Sequence, residues 1–303
     1  MLEARETAWE PDPAWATLPH SGRSGARLWL AESSGRTWVV KRAARPLPGD
    51  PRELSDPRHF GYWRREADLA LAGDVVATAG LRSPEVLRVD EDETGVVLWQ
   101  AAVDQSETSG LFRAQALGRF ATQNLPERPW TTTGVLRSRL IAAERRGGWP
   151  TLARTTLADV ADRLWTRRGH HLNALDSLPL VPAHGDATPA NLRGREGDDV
   201  LALDWGGYGL APLGFDLGYL ALSEKEDFEV LLSAYVEAAG RDHAQVLLGA
   251  RITAVYTVLM RAEHVLARAA VSPGALAGKY RHPSVAPTLR RLQRVFDQVE
   301  ALL

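Results

Sequence analysis

Residues 181–205 read VPAHGDATPANLRGREGDDVLALDW and place three polar residues in an order that is typical of a phosphoryl-transfer site. Asp186 follows an apolar approach and a tight loop, Asn191 comes within the next turn of chain, and Asp204 ends an apolar strand. We interpret Asp186 as the catalytic group that orients a hydroxyl and takes its proton. Asn191 and Asp204 supply oxygen ligands suited to Mg²⁺ beside a triphosphate. Each residue taken alone is also typical of a cap or a turn.

Length and composition limit the classes of protein that fit this chain. It has 303 residues, 45% of them hydrophobic and 24% charged, with a formal net charge of −2. This size predicts two lobes with a crevice between them, and the charge balance argues against a nucleic-acid partner. The first residues contain charges and prolines, which are not typical of a signal peptide. The sequence also lacks an apolar run long enough for a membrane span, so we expect a cytoplasmic protein without a membrane partner. The lack of cysteine excludes disulfides and thiolate metal sites.

The scarcity of lysine draws attention to one position. Of the 36 Lys and Arg residues three are lysines, namely Lys41, Lys225 and Lys279. Lys41 ends a predicted strand, where a compact ammonium can contact phosphate. We expect Glu66, on the helix that follows, to pair with it, with Glu53 and Asp68 as weaker candidates. The alternative is that Lys41 and Glu66 are solvated surface charges.

A serine and glycine segment precedes the first predicted hairpin. Residues 19–25 include Ser21, Gly22 and Ser24, whose backbone amides can fold over a phosphate. Segments of this composition also form ordinary turns, so this residue pattern alone leaves both interpretations open.

The order of predicted elements gives an α+β fold. Strands are predicted at 27–30, 37–41, 86–89 and 95–100, and a helix from a cap at Asp56 and a first position at Pro57 through residue 72. These make a small antiparallel sheet with one key helix. After residue 102 the pattern is mainly helical, with helices at 111–124, 135–144 and 157–175 and a short hairpin that carries Asn191 and Asp204.

The motifs together resemble the aminoglycoside phosphotransferase family, the small-molecule branch of the protein-kinase-like fold. The resemblance is carried by His184, Gly185 and Asp186 with Asn191, by residues 203–205, and by residues 212–219. It implies an N-terminal nucleotide-binding lobe at 1–101 and a catalytic and substrate-binding lobe at 102–303.

The resemblance also implies roles for single residues. Lys41 and Glu66 fit the nucleotide-lobe pair, and Gln100 and Ala102 lie in the hinge that binds adenine through backbone groups. His184 is expected to be structural. From the residues themselves, Asp216 is expected to hold the catalytic loop by hydrogen bonds.

These observations predict a phosphotransferase that uses ATP, with GTP left open, and Mg²⁺ to phosphorylate a hydroxyl of a small molecule. The resemblance implies an aminoglycoside-like antibiotic as the first acceptor class, with amino sugars, choline and homoserine as metabolic alternatives. A non-catalytic nucleotide-binding protein is the third possibility, and the oligomeric state is a monomer or a homodimer. Several acidic residues could form a negative pocket for a cationic substrate, or they could lie on the solvent-exposed face of a helix. These residues are Glu224, Glu226, Asp227, Glu229 and Glu263.

Overall fold

The structure is a computed structural model that describes residues 9–19, 26–104, 106, 108–145, 158–270 and 296–303. Its strands are β1 (Ala16–Leu18), β2 (Arg27–Ser33), β3 (Arg36–Ala44), β4 (Leu81–Arg82), β5 (Val86–Asp92), β6 (Gly95–Ala101), β7 (Leu180–Ala183), β8 (Leu192–Glu196), β9 (Asp199–Ala202) and β10 (Gly209–Pro212). Its helices are α1 (Arg65–Ala72), α2 (Gly110–Phe120), α3 (Val135–Arg145), α4 (Ala158–Asp176), α5 (Phe215–Ala221), α6 (Phe228–Ala239), α7 (His243–Ala270) and α8 (Phe296–Glu300). The predicted α+β class is confirmed.

The largest sheet presents two chemically different faces. Its five strands run antiparallel in the order β1-β2-β3-β6-β5. Because side chains alternate along β3, Trp38 and Val40 are buried on one face while Lys41 points to the other. Trp9 and Trp15 cover the apolar face and contact Trp29 and Trp99 respectively. Residues 9–15 therefore close the back of the sheet, and the face that carries Lys41 is directed toward α1.

Helix α1 starts later in the chain than the sequence pattern predicted. Helix α1 begins at Arg65, and residues 57–64 form turns instead of a helix from Pro57. The guanidinium of Arg65 donates to the carbonyl oxygens of Pro57, His59 and Phe60. A helix starting at Pro57 would use these same carbonyls for its own i to i+4 bonds. The buried arginine thus stabilises the turns in place of a longer helix.

The helical part packs around α7. Helices α3, α4, α5 and α6 all contact α7, and its residues Val255, Tyr256 and Val258 are fully buried. Helix α2 lies against α6, where Gly118 leaves space for the backbone of Tyr235. Among the helices that the structure describes, none combines the length and apolar character needed to cross a membrane.

Two small sheets carry the polar motif. Strand β7 pairs with β10, and β9 lies between β8 and β4, with β4 parallel to β9. The loop after β7 and the turn after β9 meet at one corner of the protein. Helix α1 packs against this corner, because it contacts the 3₁₀ turn at Trp205–Gly207.

Candidate active site

The loop after β7 is held by a buried carboxylate. Asp216, in the first turn of α5, accepts hydrogen bonds from the backbone N–H groups of His184, at 2.6 Å, and Gly185, at 3.0 Å. Burial raises the pKa of the Asp216 carboxyl. The expected role of Asp216 in fixing the loop by hydrogen bonds is confirmed by these contacts.

The imidazole of His184 links the loop to the end of β9. Its Nε2 lies 2.9 Å from the carbonyl oxygen of Leu203, and its Nδ1 accepts from the backbone N–H of Asp186 at 3.3 Å. These two bonds require the neutral ring with its proton on Nε2. His184 is fully buried, so its contacts match the structural role that the resemblance implied.

Gly185 allows the closest approach in this corner. Its φ is +83°, a conformation that side-chain-bearing residues rarely adopt, and a Cβ there would lie 2.0 Å from the carbonyl oxygen of Gly207. The loop after β7 and the turn after Asp204 are therefore in backbone contact, which requires glycine at position 185.

Asp186 and Asn191 meet directly. The Asn191 Nδ2 atom donates to the backbone oxygen of Asp186 at 2.9 Å and to its carboxylate Oδ2 at 3.1 Å. A carboxylate only accepts hydrogen bonds, so Asn191 turns its amide nitrogen to Asp186. The backbone N–H of Leu203 donates to the carbonyl of Asn191 at 2.8 Å. Asn191 is thus tied to the residue before Asp204.

Asp204 occupies a strained position at the end of β9. Its φ of 58° and ψ of 60° are left-handed, a conformation shared among the described non-glycine residues only with Ser34. Such a conformation costs on the order of 1–2 kcal/mol. It turns the chain into the 3₁₀ turn and directs the Asp204 carboxylate toward β3, where Lys41 Nζ lies 2.6 Å from Oδ1.

Lys41 also forms the expected ion pair with Glu66. Both side chains are nearly buried, with 11% and 12% of their surfaces exposed. Burial opposes the charge of Lys41, but the negative charges of Glu66 and Asp204 outweigh it and hold the pKa of Lys41 above its ordinary value. The weaker candidates pair elsewhere, Glu53 with Arg145 and Asp68 with Arg64. Lys41 therefore joins the sheet and α1 to the corner that carries Asp204.

Sequence reasoning missed Arg65, the residue before Glu66. Its side chain is completely buried and donates to the carbonyls of Trp130 at 2.8 Å and Gly206 at 2.9 Å, besides those of the turns before α1. Burial lowers its pKa to about 10. In sequence it reads as one of several charges on an exposed helix face, and no pattern marks it. Its contacts fix α1 to the turn that follows Asp204.

The other expected nucleotide-binding residues are only partly placed. Gln100 is buried in β6 and pairs with Val39 and Val86, while the backbone N–H of Ala102 donates to the carbonyl of Thr37 at 3.1 Å. The backbone N–H of Ala102 is therefore already used in a bond to β3. Ser21, Gly22 and Ser24 lie outside the described residues.

The oxygen donors of Asn191 and Asp204 suit a metal ion whose remaining ligands are water and substrate phosphates. Within the part of the chain that the structure describes, no group of three or more His, Asp or Glu side chains could hold a metal ion. Asn191 and Asp204 offer two hard oxygen donors, which suits Mg²⁺ because this ion keeps water and substrate phosphates in its shell.

Residues 15–248 match the family model described as the Phosphotransferase enzyme family. The chain belongs to this family. It is therefore a small-molecule phosphotransferase with a protein-kinase-like fold, as the resemblance implied. No curated protein sequence matches the chain.

Solved structures similar to this phosphotransferase come from several kinases. A choline/ethanolamine kinase family protein from Mesorhizobium loti has a TM-score of 0.55 and 17% identity, covering 91% of this chain and 89% of that one. The GDP complex of aminoglycoside 2'-phosphotransferase-IIIa has a TM-score of 0.59 and 12% identity, covering 96% and 93%. An amicoumacin kinase in complex with AMP-PNP and Ca²⁺ has a TM-score of 0.56 and 10% identity, covering 95% and 88%.

Two of the acidic residues considered for a cationic pocket of this phosphotransferase hold helix α2. Glu224 is buried and forms two hydrogen bonds with Arg113, at 2.5 and 2.7 Å. Glu226 accepts from the backbone N–H of Gly110 at 2.7 Å. Asp227 and Glu229 are exposed at the start of α6, and the side chain of Glu263 lies outside the description. Glu224 and Glu226 are therefore structural contacts of the first turn of α2.

Proposed function

We propose that this phosphotransferase transfers the terminal phosphoryl group of ATP to a hydroxyl of a small molecule, with Mg²⁺. The observation that carries the proposal is the meeting of Asp186, Asn191, Asp204 and Lys41 at one corner beneath α1. These residue types match the needs of phosphoryl transfer, in which positioning and charge neutralisation supply most of the rate. The division into a nucleotide lobe at 1–101 and a catalytic lobe at 102–303 is part of the proposal.

Asp186 has the central role in the proposal. The acceptor oxygen forms a bond to the terminal phosphorus while the bond from that phosphorus to the bridging oxygen breaks, so ADP leaves. Asp186 orients the hydroxyl and takes its proton. The bond from Asn191 Nδ2 to Oδ2 sets the rotation of this carboxylate, and the contacts of His184 and Asp216 set its backbone.

Lys41 and the proposed metal ligands would neutralise the charge of the nucleotide phosphates. The ion pair with Glu66 holds the ammonium of Lys41 in place, and the ammonium compensates phosphate charge. Asn191 and Asp204 would hold Mg²⁺, which when bound supplies charge neutralisation at the transferring phosphoryl group. The choice of ATP is supported by the similar amicoumacin kinase, which was solved with AMP-PNP. GTP is tested as well, because the similar aminoglycoside 2'-phosphotransferase-IIIa was solved with GDP.

The acceptor class is the finer part of the proposal. An aminoglycoside-like antibiotic is supported by the similarity to an aminoglycoside phosphotransferase, and a metabolic alcohol by the similarity to a choline/ethanolamine kinase family protein. Both classes need the same hydroxyl chemistry at Asp186, so one acceptor panel tests them together.

The test is nucleotide turnover with matched aspartate variants. ADP release is measured with ATP or GTP and Mg²⁺ against aminoglycosides, choline, amino sugars and homoserine. With an accepted substrate, Asp186→Asn should lower kcat by about 10²–10⁴-fold, the usual contribution of a general base. Asp176→Asn, at an exposed carboxylate of α4, should leave kcat unchanged. Binding of nucleotide without turnover of any acceptor, or full activity in Asp186→Asn, would favour a non-catalytic nucleotide-binding protein.

A further inference from the structure

Two arginine side chains lie against one tyrosine beside the catalytic loop. The guanidinium carbon of Arg139, on α3, is 5.1 Å from the ring centroid of Tyr219, and that of Arg261, on α7, is 5.2 Å from it. Tyr219 is buried on α5, one turn after the carboxylate that holds the loop. We call Arg139 and Arg261 the arginine pair.

One member of the arginine pair, Arg139, is hydrogen-bonded to the residue before the proposed catalytic residue. Arg139 donates to the hydroxyl of Tyr219 and, at 3.2 Å, to the carbonyl of Gly185, which precedes Asp186. The guanidinium of Arg139 also lies 5.5 Å from the ring of Phe60, in the turns before α1. The positive charge of Arg139 is therefore fixed between α5 and the loop.

The guanidinium of Arg261 lies on the Tyr219 ring, and the charge of Asp186 acts on it. Burial lowers the pKa of Arg261, and the negative charge of Asp186 opposes this shift. The delocalised guanidinium of arginine stays charged in proteins at neutral pH. The arginine pair thus places two positive charges on one ring beside the loop, whose nearby carboxylates are Asp186 and the buried Asp216.

The two neighbouring positive charges of the arginine pair disfavour a polycationic acceptor. Contact with the Tyr219 ring compensates part of the cost of placing two like charges close together. An acceptor that brings positive charge next to the arginine pair would add repulsion, whereas an anionic group there would relieve it. Glu224 and Glu226, the acidic residues that would attract a cation, are used in contacts with α2.

We propose that the arginine pair is an anion subsite for the acceptor, and that the acceptor is a hydroxylated small molecule with a carboxylate or phosphate group near its reactive hydroxyl. The planar guanidinium fork binds both groups through paired charge-assisted hydrogen bonds. The inference rests on the proposed function, because it takes Asp186 as the centre at which the hydroxyl is placed.

The test is binding of matched probe pairs to protein saturated with AMP-PNP and Mg²⁺. Glycerate is compared with glycerol, and glucose 6-phosphate with glucose, by calorimetry or ligand-detected NMR, with choline and kanamycin as cationic probes. At least one anionic member should bind about tenfold or more tightly than its neutral partner, the effect expected for a charge-assisted hydrogen bond. The two pairs distinguish a carboxylate from a phosphate ligand.

Variants assign the preference to the arginine pair. Arg261→Gln should abolish it and Arg261→Lys should retain part of it, which separates loss of charge from loss of fold. Arg251→Gln on α7 and Arg137→Gln on α3 are controls that should keep the full preference. Equal binding of both members of every pair, tighter binding of the cations, or an unchanged preference in Arg261→Gln would overturn the subsite.

The same probes with ATP in place of AMP-PNP separate the two proposals. Anion binding without ADP release would contradict the proposed function and leave the subsite standing. Phosphorylation of kanamycin or choline in preference to the anionic probes would contradict the subsite and leave the proposed function standing.

Discussion

Arg65 and Glu66 are neighbours on α1, and their buried charges are compensated in different ways. Glu66 pairs with the ammonium of Lys41, whose other partner is Asp204. Arg65 is surrounded by backbone carbonyl oxygens from the turns before α1, from Trp130 and from Gly206. Glu66 thus contacts Lys41, which would face a nucleotide. Arg65 instead contacts backbone carbonyls of the segments around the site.

The difference shows how one helix can serve both chemistry and architecture. A charge paired with an opposite charge near a crevice can exchange its partner for a phosphate or a cation. A charge satisfied by several fixed carbonyls cannot move without leaving those carbonyls unpaired, which is costly in a buried site. We therefore expect variants of Arg65 to lower stability and variants of Glu66 to lower nucleotide affinity.

The largest effect is expected for Arg65→Met. It leaves several buried carbonyls without a donor, each at a cost of about 1–3 kcal/mol, so the free energy of unfolding should fall by about 3–5 kcal/mol. The adjacent Arg64→Met is the control, because Arg64 is partly exposed and pairs with Asp68 and Glu91. That change should cost less than about 1 kcal/mol. Denaturant unfolding measures both, and equal losses would remove the architectural role of Arg65.

A smaller loss of stability is expected for Gly185→Ala. The new Cβ would clash with the Gly207 carbonyl and the residue would keep a positive φ, so we expect a loss of about 2–4 kcal/mol. Gly197 also has a positive φ, of 62°, but has open space around it. Gly197→Ala should therefore show only the conformational cost of about 1 kcal/mol. If the two variants unfold at the same denaturant concentration, the close contact between loop and turn is not essential.

The smallest of these effects is expected for Glu66→Gln. Removing its charge loosens Lys41, so the dissociation constant for AMP-PNP should rise about tenfold while the free energy of unfolding changes little. Glu53→Gln is the matched control, since Glu53 is paired with Arg145 at the surface. Calorimetric titration gives both constants. Unchanged affinity in Glu66→Gln, or a loss of stability as large as that of Arg65→Met, would abolish the contrast between the two neighbours.

Sequence alone predicted those parts of the site that depend on short stretches of chain. Asp186 and Asn191 lie in one loop, so their meeting follows from local geometry, and the pair of Lys41 and Glu66 joins a strand to the next helix. The contact of Lys41 with Asp204 links residues 163 positions apart and needs the whole fold. Arg65 was missed, and α1 was predicted too long, because the carbonyls of Trp130 and Gly206 that contact Arg65 come from distant segments.

Asp204 is the proposed Mg²⁺ ligand whose side chain would make nucleotide binding depend on the metal. The direct test is AMP-PNP affinity, measured by calorimetry with and without Mg²⁺, for the wild type and for Asp204→Asn, since asparagine tolerates the positive φ of this position. We expect Mg²⁺ to tighten AMP-PNP binding by about tenfold or more in the wild type and to have little effect in the variant. A folded Asp204→Asn protein whose affinity rises with Mg²⁺ as much as that of the wild type would contradict the account.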